Sequence, residues 1–336
     1  MAKDSQKPST GMILGKFMPP HRGHQHLIDF ARARVDRLTV IVGSISREPI
    51  PGRLRYEWVR ELYPDLNVVH LTDENPQEPH DHPRFWEIWT ASIRRLIPEG
   101  PDYVFTSEDY GDELARRLGA RHILLDRARS RVPVSATMIR DDPYGNWQYI
   151  PPCVRPYYVK RVAVVGAEST GKTTLAEQLA RHYRTVLVPE YGRLYLDSKN
   201  APCELEDIPR IARGHADCED RLAREANRVL ILDTELIITT LWSEYFFGEC
   251  PEQVRREAGE RSYDLYLLTA NDVPWVDDPQ RVGPESRGSF YDRVRRELET
   301  RGRRFVEISG TFERRFEQAV CAVDSLFKNK TGDRRC

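Results

Sequence analysis

The sequence has no long apolar segment and no pattern typical of a secreted or metal-stabilised protein. Among its 336 residues, no stretch approaches the roughly 18 consecutive apolar residues that a transmembrane helix needs. The N-terminal segment MAKDSQKPSTG lacks the apolar core of a signal peptide. The six cysteines include no C-x-x-C pair, which argues against a zinc site or a disulfide framework. We therefore expect a cytoplasmic protein that does not insert into a membrane.

The sequence also lacks an excess of charge of either sign. Lys and Arg number 51, Asp and Glu number 52, and the net charge is −1. Such a chain has no overall attraction for nucleic acid, and we expect no DNA binding. Any polyanionic ligand must therefore bind at a local site. At roughly 100–200 residues per domain, the length predicts two domains or three.

Strand-like and helical patterns alternate along the chain in two series. In the first half, strands are predicted at 11–15, 37–44, 67–71, 102–108 and 122–126. In the second half, strands are predicted at 161–166, 185–191, 228–234, 263–269 and 304–309. This alternation is typical of α/β domains with parallel sheets and helices on both faces.

A proline-rich segment separates the two series. PPCVRPYYVK at 151–160 has three prolines in ten residues, a composition that favours a domain junction. We place the boundary near residue 158, which gives a first domain at 1–158 and a second at 159–336.

A loop rich in glycine and histidine follows the first predicted strand. Its sequence, GKFMPPHRGH, precedes a helical pattern, and the N-terminus of a helix favours phosphate. His21 and His24 can donate hydrogen bonds to phosphate oxygens, and Lys16 adds a positive charge. Gly23 allows the backbone to approach a ligand closely. The alternative is a surface loop whose histidines have partners within the protein. The residues predicted to take part in nucleotide binding are Gly15, Lys16, Phe17, His21, Gly23 and His24.

The segment VSATMIR at 134–140 gives a second signal in the same half. Ser135 or Thr137 can cap a short helix, and Arg140 can reach a phosphate. By itself this pattern is ordinary helix capping. Together with the H-x-G-H loop, it resembles the paired signatures of the HxGH nucleotidyltransferases. That resemblance implies a Rossmann-like parallel sheet, with nucleotide contacts from Arg129, Ser135 and Thr137.

The segment GAESTGKT at 166–173 matches the P-loop pattern G-x-x-x-x-G-K-[ST] at every position. In such loops the backbone N–H groups surround the phosphates, the lysine reaches the β- and γ-phosphates, and the hydroxyl binds Mg²⁺. Those roles fall to Lys172 and Thr173, and Asp233 supplies the expected second metal ligand. We therefore predict ATP with Mg²⁺ here. The residues predicted to bind the nucleotide are Gly166, Glu168, Ser169, Thr170, Gly171, Thr173 and Thr174.

Two further segments of the second half carry candidate site residues. Glu190 ends a predicted strand, where ligands bind in open α/β sheets, and it is a candidate to hold a substrate hydroxyl. The alternative is a carboxylate that only stabilises the following helix. Arg281 and Arg287 lie in a polar loop that can close over a transferring phosphate as a lid. The alternative for each is a solvated arginine.

Taken together, these segments resemble the NadR-type bifunctional proteins, in which nicotinamide mononucleotide adenylyltransferase is fused to ribosylnicotinamide kinase. The resemblance runs nearly end to end, through GKFMPPHRGH, DRARSRVPVSATMIR, GAESTGKTT, VPEYGR, ILDTELIITT and PWVDD. It implies two reactions. Ribosylnicotinamide is phosphorylated by ATP to nicotinamide mononucleotide in the second domain. That mononucleotide then reacts with ATP in the first domain to give NAD and pyrophosphate.

The implied chemistry agrees with the residue types present. Adenylyl transfer needs positioning and charge neutralisation rather than an enzyme nucleophile. Phosphorylation of a ribose hydroxyl needs activation of the γ-phosphate and a group that orients the hydroxyl, which is Glu190 or Asp233. A nicotinamide ring also favours stacking on an aromatic side chain. The residues predicted to be catalytic are Lys16, His21, His24, Arg140, Lys172, Glu190 and Asp233. The candidates for contact with the acceptor are Trp89, Tyr191, Arg193 and Trp275.

Some alternatives stay open from the sequence. Longer members of the family carry an N-terminal helix-turn-helix repressor module. Only ten residues precede the first predicted strand, so we expect no such module and do not carry over the repressor function. One rival hypothesis is an NAD or ATP sensor in which one catalytic half has been lost. A nucleotidyltransferase–kinase fusion for another substrate is a second rival, and the oligomeric state, a homo-oligomer included, is undetermined.

Overall fold

The computed structural model describes residues 7–277 and 283–328. The chain divides into two compact units between Val154 and Arg155. The sequence placed this boundary between residues 158 and 159, inside the same proline-rich segment. Within the described ranges, no helix combines the length and the apolar character needed to cross a bilayer.

The first unit is built on a five-stranded parallel sheet. Its strands are β1 (Thr10–Gly15), β2 (Arg37–Gly43), β3 (Asn67–Leu71), β4 (Tyr103–Thr106) and β5 (Arg121–Leu124). Its helices are α1 (Arg22–Arg32), α2 (Gly52–Leu62), α3 (Phe85–Leu96), α4 (Tyr110–Leu118) and α5 (Ala136–Asp141). The strand order is β3-β2-β1-β4-β5, so β1 is central.

Side chains of β1 alternate between two apolar layers, as successive residues of a strand must. Ile13 packs into a cluster that includes Ile28 of α1. Met12 points to the other face, into a cluster with Ile93 of α3 and Leu114 of α4. Helices therefore cover both faces of this sheet, which confirms the predicted α/β class for the first unit.

The second unit contains another five-stranded parallel sheet. Its strands are β6 (Lys160–Gly166), β7 (Leu187–Val188), β8 (Val229–Asp233), β9 (Leu265–Thr269) and β10 (Phe305–Ile308). Its helices are α6 (Arg155–Tyr158), α7 (Lys172–Tyr183), α8 (Tyr191–Lys199), α9 (Ile208–Ala223), α10 (Leu236–Phe247), α11 (Glu252–Glu260), α12 (Arg287–Thr300) and α13 (Phe312–Asp324). The strand order is β10-β9-β6-β8-β7, which places β6 at the centre.

One predicted strand of this unit is much shorter than the sequence indicated. The segment 185–191 was predicted as a strand, but only Leu187–Val188 pairs with β8. Pro189 follows at once and has no N–H to donate to a ladder. Glu190 then adopts the N-cap position of α8, so the chain turns away from the sheet.

The two sheets share one feature that places ligands. In each, the chain first fills one side of the central strand and later crosses to its other side. The central strand β1 therefore lies between β2 and β4, and β6 lies between β8 and β9. Ligands of open α/β sheets bind at the carboxyl end of the strands at such a point. The H-x-G-H loop follows β1 and the P-loop follows β6, so both lie at this edge.

Candidate active sites

The two histidines of the first loop cap helix α1 with their rings. His21 is the N-cap residue, and its Nδ1 accepts hydrogen bonds from the backbone N–H of Gly23 at 3.1 Å and of His24 at 3.3 Å. The Nδ1 of His24 accepts in return from the backbone N–H of His21 at 3.3 Å. This is the reciprocal pattern of a capping box, made here with imidazoles instead of hydroxyl and carboxyl groups.

This capping fixes which ring nitrogen can serve a ligand. A neutral imidazole whose Nδ1 accepts carries its proton on Nε2, so each ring has an Nε2–H to donate. Burial lowers the pKa of His21 to about 3, with a contribution from Arg129. Burial, His21 and Arg129 together hold the pKa of His24 well below its ordinary value. Both rings are therefore neutral near pH 7, and each can donate a hydrogen bond through Nε2.

Gly23 is required by the position of the His21 ring. A Cβ at this residue would lie 2.9 Å from Cε1 and 3.0 Å from Nδ1 of His21. Because these distances are below normal van der Waals contact, a side chain at residue 23 would displace the capping ring.

The second motif of the first unit packs against this loop. Ser135 is the N-cap of α5 and accepts from the backbone N–H of Met138 at 3.1 Å. Arg140 donates to the carbonyl of Met18 at 2.6 Å and to the hydroxyl of Thr137 at 3.1 Å. Arg140 thus ties α5 to the loop. A cavity of about 210 Å³ is lined by His21, His24, Arg129, Ser135 and Thr137, all of them predicted from the sequence.

Phe17 and Gly15 take part in the packing of the H-x-G-H loop. The Phe17 side chain is buried, and its ring centroid lies 4.8 Å from that of His24. A Cβ on Gly15 would lie 3.1 Å from the Phe17 ring. A contact between Phe17 and a nucleotide, as the sequence predicted, can therefore come only from its backbone.

Sequence reasoning missed a buried arginine behind the same loop. Arg55 is fully buried and donates to the carbonyls of Lys16, Gly43 and Ile50. It also pairs with Glu48, whose other oxygen lies 3.4 Å from the Nζ of Lys16. Arg55 and Glu48 therefore position both the backbone and the charge of Lys16. The periodic signal was present, because Arg55 shares a helical face with the buried Trp58 and Val59 of α2.

The P-loop of the second unit has the conformation of a phosphate cradle. Ser169 and Gly171 have positive φ angles of 54° and 79°, and Gly171 precedes the first residue of α7. Gly166 has a φ of 145°, and a Cβ there would lie 2.4 Å from Thr269 Oγ1. Successive backbone N–H groups in such a turn point to one side and attract anions. Lys172 Nζ donates to the Ala167 carbonyl at 2.8 Å, across the same loop.

Asp233 is the candidate metal ligand beside the P-loop. It ends β8, is almost fully buried, and accepts from the Thr173 hydroxyl through Oδ2 at 2.6 Å. Within the described part of the chain, its Oδ1 is buried without a hydrogen-bond partner. Burial raises the pKa of Asp233 to about 6, and the neighbouring charge of Glu190 adds to this shift. A carboxylate oxygen without a partner, beside a hydroxyl, fits a magnesium ion that arrives with ATP.

Glu190 faces this centre rather than capping α8. It occupies the N-cap position, but its side chain makes no capping hydrogen bond. Its carboxylate instead lies 3.6 Å from the guanidinium of Arg193 and close enough to Asp233 to raise the pKa of that residue. The geometry therefore favours the substrate-hydroxyl hypothesis over the helix-start alternative.

A cavity of about 230 Å³ continues from the P-loop to an aromatic wall. Trp242 stacks on Phe290 with ring centroids 4.0 Å apart, and it stacks on Phe246 at 5.4 Å. Trp242 and Phe246 line the cavity and were missed, because α10 is apolar almost all round and gives no sign of which face is open. The predicted residues that line this cavity are Glu168, Ser169, Thr170, Gly171, Lys172, Thr173, Thr174, Glu190 and Arg193.

The aromatic residues that were predicted to contact the acceptor make contacts with other groups of the protein. Tyr191 packs so closely on Gly214 that a Cβ there would lie 2.1 Å from its ring. Trp89 lies in the first unit, beside Gly43, and its Nε1 donates to the Pro76 carbonyl at 2.8 Å. Trp275 donates to Asp277 at 2.6 Å. Their roles as stacking partners stay predictions.

The segment after β9, part of which is predicted to be a lid, contacts the P-loop. Arg287 donates to the carbonyl of Ser169 at 3.2 Å, and Val276 N–H donates to the Ser169 hydroxyl at 2.8 Å. The Arg287 guanidinium lies 5.8 Å from the ring centroid of Trp275. Arg281, the other predicted lid arginine, lies outside the described residues.

We expect the stability of the second unit to depend on Glu235. This residue caps α10 through Oε2, and burial raises its pKa to about 8 from an ordinary value of 4.5. Between pH 4.5 and pH 8 the unfolded chain loses this proton while the folded chain keeps it, so stability falls as the pH rises. Glu235→Gln keeps the cap and removes the titration. Thermal unfolding should show the variant gaining on the wild type across this window, and a constant difference would contradict the assignment.

The fold and the two loops define a class of protein. Each unit places a phosphate-binding loop at the carboxyl edge of its own parallel sheet, which is the construction of a nucleotidyltransferase joined to a P-loop phosphotransferase. The family model of an AAA domain matches residues 161–315, which lie in the second unit.

Comparison with known proteins identifies the family. The trifunctional NAD biosynthesis/regulator protein NadR of Escherichia coli K12 is 34% identical over 310 residues, which cover 86% of this chain and 74% of that protein. Crystal structures of NadR in complex with NR, and with NAD and AMP-PNP, match with a TM-score of 0.79 at 24% identity, each over 98% of this chain. The chain belongs to the NadR family. It is an enzyme of NAD biosynthesis with nucleotidyltransferase and kinase activities, which confirms the function predicted from the sequence.

Proposed function

We propose that the chain performs two successive steps of NAD formation. The second unit phosphorylates a ribose hydroxyl of ribosylnicotinamide with ATP, and the first unit joins the resulting mononucleotide to the adenylyl group of a second ATP. One observation carries this proposal. Two different phosphate-binding loops, H-x-G-H and P-loop, each begin a helix at the carboxyl edge of a separate sheet. The NadR crystal structures with NR, NAD and AMP-PNP support the choice of ligands.

In the first unit, the substrate phosphate attacks the α-phosphorus of ATP and pyrophosphate leaves. Neutral His21 and His24 donate their Nε2–H groups to phosphate oxygens, and the first turn of α1 adds its helix dipole. Lys16 supplies the positive charge from a position fixed by Glu48. Arg140 acts through its bond to the Met18 carbonyl, which holds the loop in place. Charge neutralisation and positioning are then sufficient, with no covalent enzyme intermediate.

In the second unit, the γ-phosphoryl group passes to the hydroxyl of the acceptor. Lys172 leaves the Ala167 carbonyl and neutralises the β- and γ-phosphates. Glu190, beside Asp233, accepts a hydrogen bond from the attacking hydroxyl and orients it. Thr173 and Asp233 would hold the magnesium ion that accompanies ATP, and the ion would supply neutralisation of phosphate charge.

The aromatic wall of the second unit is suited to the flat, cationic ring of the acceptor. We expect Trp242→Ala to raise the KM for ribosylnicotinamide about tenfold, because stacking and cation–π contact are lost. The KM for ATP should not change, since the wall lies beyond the P-loop. Trp242→Phe is the matched control and should retain most of the affinity. Equal acceptor KM values for wild type and Trp242→Ala would remove this wall from the acceptor site.

Assaying each half-reaction separately tests the proposal. Purified protein is incubated with ATP and Mg²⁺ plus either ribosylnicotinamide or nicotinamide mononucleotide, and products are separated by chromatography. We expect ADP and mononucleotide from the first mixture before NAD forms, and NAD with pyrophosphate from the second. A protein that binds the ligands but forms only one set of products has lost one catalytic half, and the two-step proposal then fails.

A further inference from the structure

A buried arginine behind the P-loop connects three segments of the second unit. Arg315 lies in the first turns of α13 and is 2% exposed. Its guanidinium donates to the carbonyls of Thr170 at 2.8 Å, Ala270 at 2.9 Å and Gly310 at 3.0 Å. It also pairs with the carboxylate of Asp272. The guanidinium of Arg315 thus donates hydrogen bonds to the P-loop and to the turns that follow β9 and β10.

The bond to Thr170 determines the direction of a phosphate donor. A trans peptide is planar, so the carbonyl of one residue and the N–H of the next point in opposite directions. With the Thr170 carbonyl held toward Arg315, the N–H of Gly171 points away from Arg315. That N–H belongs to the group of donors that surrounds phosphate in P-loops.

The P-loop has a reason to need such a partner. Ser169 has a φ of 54° and Gly171 one of 79°, conformations that persist only when neighbouring contacts enforce them. Thr170 contributes through its hydroxyl, which bonds to the Ala167 carbonyl and to Thr269. Arg315 is the cationic contact to the Thr170 backbone, and its planar fork gives that contact a fixed direction.

Asp272 holds the arginine in this position. One carboxylate oxygen pairs with Arg315, and the other accepts from the backbone N–H of Gly310 at 2.6 Å. The Asp272 side chain is partly exposed, whereas that of Arg315 is not. Arg315 is therefore enclosed by three carbonyls and a carboxylate, and none of these groups is part of the substrate.

We propose that Arg315 is a positioning residue for ATP in the kinase reaction. It acts through the P-loop backbone, aiming the Gly171 N–H at the phosphates, and it does not touch the substrate. The inference rests on the proposed kinase function. It adds to that function a residue that none of the sequence motifs includes.

Steady-state kinetics of Arg315→Lys in the full chain tests the inference. Lysine keeps the charge but cannot serve four acceptors in a plane, so the KM for ATP in the ADP-forming reaction should rise about tenfold or more. The KM for ribosylnicotinamide and the pyrophosphate-forming reaction of the first unit should not change. Rates are expressed per folded chain, measured by circular dichroism. A variant with lowered stability but an unchanged KM for ATP would show that Arg315 is only structural.

Two further variants separate positioning from folding. Arg303→Lys is the matched control, because Arg303 also donates to two backbone carbonyls, those of Gly259 and Arg261, and neither of these residues belongs to the P-loop. It should leave the KM for ATP unchanged. If Arg315→Lys does not fold, Asp272→Ala loosens the same guanidinium from a partly exposed position. It should raise the KM for ATP about threefold, and an unchanged value would overturn the proposal.

Calorimetry distinguishes a failure of this inference from a failure of the proposed function. If the wild type forms no ADP with ribosylnicotinamide, the proposed acceptor is wrong, but titration with Mg-ATP still reports nucleotide binding by both units. Arg315→Lys should then weaken one class of binding and preserve the other. Two unchanged binding classes would contradict the role of Arg315 whatever the acceptor is.

Discussion

Replacing Lys172 by methionine should lower phosphorylation of ribosylnicotinamide roughly 10³-fold, because a preorganised charge on the transferring phosphate is lost. Methionine keeps the length of the side chain and its apolar packing, so the fold should be retained. The substitution removes the ammonium group, which in the wild type donates to the Ala167 carbonyl. The measurement is ADP formation at saturating ATP, with NAD formation from nicotinamide mononucleotide as the internal control.

The Asp233→Asn variant separates the contribution of magnesium binding from the contribution of the Lys172 charge. Asparagine can still accept from the Thr173 hydroxyl but is a poorer ligand for Mg²⁺. Raising the Mg²⁺ concentration should therefore restore part of the activity of Asp233→Asn and none of that of Lys172→Met. Equal rescue of both variants, or of neither, would contradict the assigned roles.

His24→Asn should lower adenylyl transfer by roughly 10²–10³-fold while the kinase reaction stays near normal. The asparagine oxygen can replace Nδ1 as the acceptor for the His21 backbone N–H, so the cap of α1 is kept. No group then occupies the position of Nε2, and one donor to the phosphate is lost. The measurement is the rate of NAD formation from nicotinamide mononucleotide and ATP.

His24→Ala is the comparison that separates capping from catalysis. It removes both nitrogens, and we expect a similar loss of rate together with a lower melting temperature, since a helix cap contributes about 1 kcal/mol. Should His24→Asn retain full activity while His24→Ala does not, the ring would serve only to cap the helix. Loss of kinase activity in either folded variant would show that the two sites are not independent.

The fold was predictable because its pattern is local. Apolar β-branched segments such as 161–166 alternate with helical periods, and this order alone favours parallel sheets. The ends of elements depend on less visible chemistry. Pro189 shortens β7 to Leu187–Val188, where the sequence predicted a strand to residue 191.

The site was predictable where its chemistry is contiguous in sequence. His21 and His24, or Lys172 and Thr173, lie within single loops whose spacing is specific to phosphate binding. Residues that act through tertiary contacts gave no such signal. Arg315 is 145 positions from Thr170, whose carbonyl it holds, and a single arginine within a helix is ordinarily solvated.

The fate of the two phosphates of NAD tests the central claim most directly. The protein is supplied with ribosylnicotinamide and ATP labelled at either the γ- or the α-phosphorus, and the NAD formed is cleaved to its two mononucleotides. If the P-loop unit acts before the H-x-G-H unit, the γ label lies in nicotinamide mononucleotide and the α label in AMP. NAD without the γ label, or with both labels in the same mononucleotide, would contradict successive action of the two units.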